Sequence, residues 1–422
     1  MTTFYLDVLV LSCLALLSWG LVHVERVYQY PFFMGSVFTS FILPQAFSLV
    51  SNPGPVTPDA LERVLIVSCL CVAACWVGYT RKPNLKWLIK LDIPIDQQKL
   101  FRAGLVLMVQ GLFFNYLLSN AVSDLEPGAQ WSGPATIYLF FSQTINIAFA
   151  IFLLQMLKHP KLVNITLTII SGFPLINSVL GGRRTPTITL LVIVGISLFM
   201  VRKILPPRWL VTIALLLMLV IIPTLGAIRS GFWDLVFSGN WSVLQSAVQS
   251  AFEFQQSGEI LELRNAALLM DASEKLGLYG YGSGWWDNIV FQYVPAQIVG
   301  REFKESLQFN LLNPEKLQDL YGYTFPVGTT YTGIGDSFVE FGYLGWIVFA
   351  LIGYVFKQLW ISAVYQENIF SRFLYIGLIS PVMLGITHGI GVFLSAAIFQ
   401  IFFSTLAAYY ARANINSSYK NI

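Results

Sequence analysis

Charge is what this 422-residue chain has least of: only 11% of its residues are Asp, Glu, Lys or Arg, against roughly 25% in an ordinary soluble protein. A soluble fold has no use for so little charge on a chain that is 56% hydrophobic, with a mean hydropathy of +0.66. Histidine is nearly absent as well. His23, His159 and His388 are the full set, and no HExxH, no DxD and no His/Cys cluster is written in the sequence, which argues against a tightly bound catalytic metal. There is no Walker A loop and no G-x-S-x-G, so neither nucleotide hydrolysis nor an α/β-hydrolase serine is indicated. The four cysteines, Cys13, Cys69, Cys71 and Cys75, all fall in apolar runs without metal-ligand or disulfide spacing and read as small packing residues. A net charge of +3 is too small to draw nucleic acid. The start, MTTFYLD, has no basic n-region, and no A-x-A site follows its apolar run; the first segment is expected to be an uncleaved helix.

What the chain does have is long apolar runs. A helix needs about 20 apolar residues to cross a bilayer, and such runs lie at roughly 4–23, 32–50, 61–80, 101–120, 135–157, 161–180, 186–201, 209–228, 333–356, 367–387 and 389–411. The fold class expected is an all-α polytopic membrane protein with about eleven transmembrane helices. Breakers separate the runs: Asn52-Pro53-Gly54-Pro55, Lys82-Pro83-Asn84, Gly181-Gly182 and Pro206-Pro207. The expected organisation is helices one to eight in 1–228, a large external loop in 229–332, and helices nine to eleven with a short tail in 333–422.

Cytoplasmic loops gather Lys and Arg. The stretch 81–102 holds Arg81, Lys82, Lys86, Lys90, Lys99 and Arg102 and is assigned to the cytoplasm. Alternation then places Lys158/Lys161, Arg202/Lys203/Arg208, Lys357 and Arg412/Lys420 on the same side without further assumption. The N-terminus and the acidic turn with Asp124 and Glu126 fall outside, and the C-terminus inside. Arg183 and Arg184, at the outer end of the sixth run, and Arg229, at the outer end of the eighth, stand against this rule. Cations in that place suggest an anion to be held, although snorkelling to lipid phosphates would also account for them. His388 joins the same face.

The long loop contains a stretch, about 242–272, with apolar residues at helical spacing (Val243, Ala247, Ala251, Phe254, Leu261, Ala267), the carboxylates Glu253, Glu259 and Glu262, and Arg264. Its plain reading is an amphipathic helix lying on the membrane. The run Tyr279-Gly-Tyr-Gly-Ser-Gly-Trp285-Trp286-Asp287 suits either an interfacial aromatic belt or indole faces, Trp285 and Trp286, stacked on sugar. Beyond it, Asp336 and Glu340 are four residues apart and share a helix face. Glu340 is expected one to two turns into the membrane, where an ionisable group is either functional or the partner of an outer arginine.

Gly333-Ile-Gly335-Asp336 followed by Phe341-Gly342 and Gly345, with GGRRTP at 181–186 and one large late loop, resembles the bacterial O-antigen or oligosaccharide repeat-unit polymerases (Wzy-like). The likeness covers most of the chain in topology and about thirty residues in motif. It implies a GT-C-like membrane glycosyltransferase of the bacterial cytoplasmic (inner) membrane, with no cofactor, whose substrate is an undecaprenyl-diphosphate-linked oligosaccharide. A chain-length regulator and a flippase would be its partners. Arg183, Arg184 and Arg229 would hold the diphosphate bidentately, with Arg264 and Arg301 as weaker candidates. The base that takes the acceptor hydroxyl's proton would come from His388, Glu340, Asp336 and Asp287, with His388 preferred because a neutral imidazole can accept a proton near pH 7. The related O-antigen ligases keep a histidine in the large loop, and this loop has none. The competing readings are a ligase-type transferase and a transporter or flippase; the latter would show charges near the midplane and inverted repeats.

Overall fold

The computed structural model describes residues 1–123, 134–227, 232–239, 241–257, 261–311, 315–326 and 328–413. Among these there are helices and no strand, only a single bridge between Ile95 and Arg412. In chain order the principal helices are α1 (Thr2–Val22), α2 (Tyr30–Ser51, with a π-turn at Phe38–Ile42), α3 (Pro58–Thr80), α4 (Leu85–Leu91), α5 (Gln97–Ser123), α6 (Pro134–Lys158), α7 (Leu162–Leu180), α8 (Arg184–Arg202), α9 (Arg208–Ala227), α10 (Trp241–Ser257), α11 (Glu262–Leu276), α12 (Ser283–Tyr293), α13 (Arg301–Ser306), α14 (Thr332–Phe341), α15 (Trp346–Val364), α16 (Ile369–His388) and α17 (Ile390–Tyr410). The protein is an all-α, multi-pass membrane protein. Ten stretches among the described residues are long and apolar enough to cross a bilayer unaided. α9 is a shorter apolar helix, measured over Arg208–Val220. At one end Arg208 donates to the Val22 carbonyl (3.0 Å), and just beyond the other end Trp233 Nε1 donates to the Val179 carbonyl (2.7 Å).

The breakers act through caps. Thr57 accepts the Ala60 amide and sets Pro58 at the start of α3, the first-turn position where a missing N–H costs nothing. Asn84 and Asn368 likewise cap α4 and α16 by accepting the amides of Lys86 and Ser371. Lipid is as apolar as a leucine side chain, so the helices are held by close packing and by internal polar bonds rather than by the hydrophobic effect. Ser68, Ser171 and Ser395 return their hydroxyls to carbonyls one turn back (Val64, Leu167, Gly391).

Two expectations are corrected here. The apolar stretch 332–364 is not one straight span. It breaks at Gly342, whose φ of +56° and ψ of −141° few residues other than glycine adopt, and α14 folds back so that Gly345 lies against the Ser337 carbonyl. α15 alone makes the crossing, and Asp336 and Glu340 sit on the folded-back helix at the loop end of the bundle rather than one to two turns down a span. The stretch 242–272 also divides. α10 is followed by α11, and α11 does not lie exposed on a surface: Leu263 to Ser273 are all buried, packed on α14 and α3. Apolar spacing was read there as a half-solvated face, whereas Arg264, Asn265 and Asp271 are polar groups built into a protein interior.

Candidate functional site

Arg183, Arg184 and His388 line one cavity of about 720 Å³ at the loop end of the bundle. α8 starts at the Gly181-Gly182 turn, with Arg183 in the capping position and Arg184 as its first residue. This is the positive end of the helix dipole, where a cation is disfavoured and an anion favoured. Two guanidiniums gathered there raise the local potential further, so the arrangement is stabilised when an anion joins it. Among the described residues no carboxylate pairs with Arg183 within ion-pair distance.

His388 faces this group from the corner between α16 and α17. The corner is set by Gly389, whose φ of +134° excludes a side chain in practice. The imidazole Nδ1 lies 2.7 Å from Thr387 Oγ1, and that hydroxyl is also 3.0 Å from the Leu384 carbonyl. One hydroxyl has one proton. When it goes to the Leu384 carbonyl, Oγ1 accepts from Nδ1–H, and Nε2 carries the lone pair, as a general base requires. The Thr387 carbonyl is held in turn by Thr330 Oγ1 (2.7 Å), and the Thr330 carbonyl by Asn265 Nδ2 (2.9 Å). A chain of hydrogen bonds thus runs from the buried α11 to the corner that carries the histidine.

Glu262, the first residue of α11, also lines the cavity. Burial pushes its carboxyl above the usual carboxylate range, partly opposed by its own backbone amide, by the charge of Arg184 and by Gln45. Arg184 bears electrostatically on Glu262 and on His388 alike, so the three form one group. Sequence reading put Glu262 among the carboxylates of a surface helix and missed its place here; no local signal distinguishes it from Glu253. The remaining wall mixes apolar side chains, Phe41, Ile188, Met218, Met383 and Leu384, with the hydroxyls of Ser36, Ser40, Thr185, Thr330 and Ser380, so the cavity is cationic at one side and partly apolar elsewhere.

The other predicted residues lie elsewhere. Asp336 and Glu340 are not in the cavity wall. Asp336 accepts the Gly391 amide at the start of α17 (2.8 Å) and the Trp285 indole N–H (3.1 Å). Glu340 accepts the amides of Gly282 (2.5 Å) and Gly284 (3.0 Å) at the start of α12. Each carboxylate therefore answers the unpaired N–H groups of another helix's first turn. The glycine run serves this: a Cβ on Gly280 or Gly284 would come within 2.3 Å of the Glu340 carboxylate. The run is a cradle for a carboxylate rather than a ring-lined surface. Trp285 is tied down by Asp336 and edge-on to Phe341 (centroids 5.3 Å apart), and Trp286 donates to the Leu307 carbonyl. Asp287 accepts the amides of Phe309 and Asn310, both at 2.8 Å. Arg264 donates to the Asn52 carbonyl (2.7 Å) and packs on Gly54, holding the turn between α2 and α3; Arg301 is exposed and paired with Glu305 (2.6 Å). Arg229 and Glu259 lie outside the described residues. Among the described residues no group of three or more His, Cys, Asp or Glu is gathered as a metal-ligand set.

No family profile, curated protein or solved structure matches the chain.

Proposed function

We propose that this protein is a membrane glycosyltransferase that polymerises oligosaccharide repeat units carried on a lipid diphosphate, of the undecaprenyl diphosphate type, in a bacterial cytoplasmic membrane with the loop end outward. The observation that carries the reading is the cavity that joins Arg183 and Arg184, at the positive end of α8, to His388. A lipid diphosphate is an anion on an apolar tail, and the cavity offers guanidiniums beside a partly apolar wall. The acceptor hydroxyl of one lipid-linked unit attacks the anomeric carbon of the growing chain, and a new C–O bond forms. The bond from that carbon to the diphosphate breaks, its electron pair leaves with the lipid diphosphate, and the arginines stabilise that charge. The hydroxyl proton passes to His388 Nε2. The chain-length regulator and flippase are proposed partners, since both ends of such a reaction need a supply and a stop.

The test is the purified protein in vesicles with a lipid-diphosphate-linked oligosaccharide. The expected result is a ladder of lengthened glycans, with one lipid diphosphate released for each bond formed. Cleavage to free sugar, transfer to a different acceptor only, or movement across the bilayer without bond formation would overturn it, the last in favour of a transporter. Orientation is checked separately: a cysteine replacing exposed Asp59 at the loop end should be labelled from outside cells, and one replacing exposed Lys86 only after permeabilisation.

A further inference from the structure

We infer that residues Ser283–Ser306 form a re-entrant hairpin whose tip lies in the hydrocarbon of the bilayer, with the groove beneath it filled by an acyl chain of a membrane phospholipid. α12 starts at the loop end, where Glu340 holds its first turn, and runs down beside α17. The Tyr293 hydroxyl, at its far end, donates to the Ser395 carbonyl, and its ring meets Phe140 of α6 edge-on at 5.3 Å. The chain turns at Val294–Gly300 and returns through α13, so that Trp286 bonds Leu307 and Asp287 bonds Phe309 and Asn310.

The depth follows from the neighbours. The turn residues Val294, Pro295 and Ile298 share a groove of about 350 Å³ with Phe140, Ile398 and Phe402. Ile398 and Phe402 are eight and twelve residues past the start of α17, which at 1.5 Å per residue is about 12–18 Å along a spanning helix.

Three further features suit lipid. The turn, Val-Pro-Ala-Gln-Ile-Val-Gly, carries no charge. Ile298 is 74% exposed and continuous, through the groove, with the exposed faces of Ile398 and Phe402 on α17, surface that spanning helices turn to lipid. Backbone in hydrocarbon must bond to itself, and here the amides of Val294, Ile298, Val299 and Gly300 return to the carbonyls of Val290, Pro295, Pro295 and Ala296. On the returning limb Arg301 pairs with Glu305, Lys304 donates to the Phe291 carbonyl (2.7 Å), and Glu302 is exposed. This inference is independent of the glycosyltransferase reading. Its consequence for the site is that the hairpin is tied by Trp285 to Asp336, and Asp336 holds the first turn of α17 three residues from His388.

The experiment places a nitroxide on Ile298→Cys in the full chain, in vesicles of phosphatidylethanolamine and phosphatidylglycerol, and compares its accessibility to oxygen and to a water-soluble nickel chelate. Phe402→Cys serves as the lipid reference and Asp59→Cys as the water reference. The expected result is an oxygen-to-nickel ratio at Ile298 close to that at Phe402 and several-fold above that at Asp59. A ratio like that of Asp59 would overturn the hairpin's immersion, and low accessibility to both reagents would replace lipid with a protein contact. Val299→Cys, also exposed, repeats the measurement if the first variant folds poorly.

Discussion

The two ends of the helix bundle carry similar residues and use them in opposite ways. At one end lie Arg81, Lys82, Lys86, Lys90, Lys158, Lys161, Arg202 and Lys203, with no carboxylate within ion-pair distance among the described residues. Most stand in solvent or bond to backbone, as Lys99 does to the Arg412 carbonyl and Arg208 to the Val22 carbonyl, while Lys203 packs over the Phe199 ring and Arg372, at the same end, reaches Glu367 at 3.9 Å. At the other end there are fewer cations, and several have a fixed place. Arg63 is bound by Asp271 (2.9 Å) and Glu274, Arg264 by the Asn52 carbonyl, and Arg183 and Arg184 flank a cavity. Scattered cations are the kind that bias orientation against an anionic membrane face; placed cations hold the fold or, under the proposed function, an anion. The difference lies in geometry and not in composition.

The comparison breaks most visibly through the arginines themselves. Replacing Arg183 and Arg184 together by Ala should abolish long-chain polysaccharide, each alone lowering activity by about 10²–10³-fold, the usual loss for a donor to a charged transition state. Replacing Lys158 and Lys161 together by Ala should leave chain length unchanged. Gel ladders from cells making equal amounts of each variant decide it: parallel losses would make the two ends equivalent and the anion site wrong. Lys at position 184 should rescue only weakly, because an ammonium cannot hold a phosphate bidentately.

His388→Gln comes next, with an expected fall of about 10²–10⁴-fold in turnover, the range for a general base, and little change in the substrate concentration needed. Thr387→Val should lower activity less, since it removes the group that fixes the imidazole tautomer and leaves the ring. If His388→Gln polymerises at the normal rate, the proton acceptor is another group, and Glu262 is the nearest choice in the cavity.

Stability separates the loop-end carboxylates from one another. Glu340→Gln leaves amides of the first turn of α12 short of a charged acceptor, a cost of about 1–3 kcal/mol. Asp271 and Glu262 should differ in sign with pH. Burial alone would raise the Asp271 carboxyl, but the bonds from Lys275, Tyr321 and Arg63 outweigh it and hold the group below its ordinary value. A depressed value stabilises the fold above the unfolded carboxyl's titration, near pH 3.9, and that stability is lost as pH falls through the folded value. Glu262 is raised, so its contribution is present at low pH and lost as pH rises through its folded value. Thermal unfolding in detergent should therefore show Asp271→Asn destabilised at neutral pH, with the gap to the parent chain closing below about pH 4. Glu262→Gln should equal or exceed the parent at neutral pH. The same sign for both variants would remove the electrostatic distinction.

Much of this frame was legible in the sequence, and for one physical reason: a lipid solvent demands about 20 apolar residues per crossing, and that demand survives without knowledge of tertiary contacts. Ten of the eleven runs correspond to stretches long and apolar enough to cross, with α15 carrying the ninth, and the eighth is the shorter apolar helix α9. The convergence of Arg183, Arg184 and His388 was legible in outline, because alternation puts them at one end. What was not legible depends on neighbours far apart in the chain. Nothing local says that Glu340 will sit in a cradle of glycines some sixty residues earlier, so an acidic residue and a Gly/Trp run each passed for part of a binding surface. Gly342 looks like any small residue in a span until its φ is known, and with it the depth of Asp336 and Glu340. Glu262 became a cavity residue only because α11 is buried, and apolar spacing cannot tell a helix on a membrane from one inside a protein.

The smallest expected effect is at Arg301, and it sharpens the comparison because it asks whether position alone makes a loop-end arginine functional. Arg301 has the residue type and the end of the bundle that the proposed anion site needs. Its partner Glu305 is four residues on along one short helix, both side chains lie exposed on the protein surface just past the hairpin turn, and neither residue lines the cavity. A pair on the protein surface that supports no other residue contributes little, because two long side chains lose freedom in holding one geometry. Arg301→Ala should therefore leave chain length, turnover and unfolding temperature within error of the parent chain. A loss of polymer comparable to that of Arg184→Ala would mean that the returning limb of the hairpin closes over the cavity during the reaction. The division of the loop-end cations into placed and idle would then have to be redrawn around Arg301.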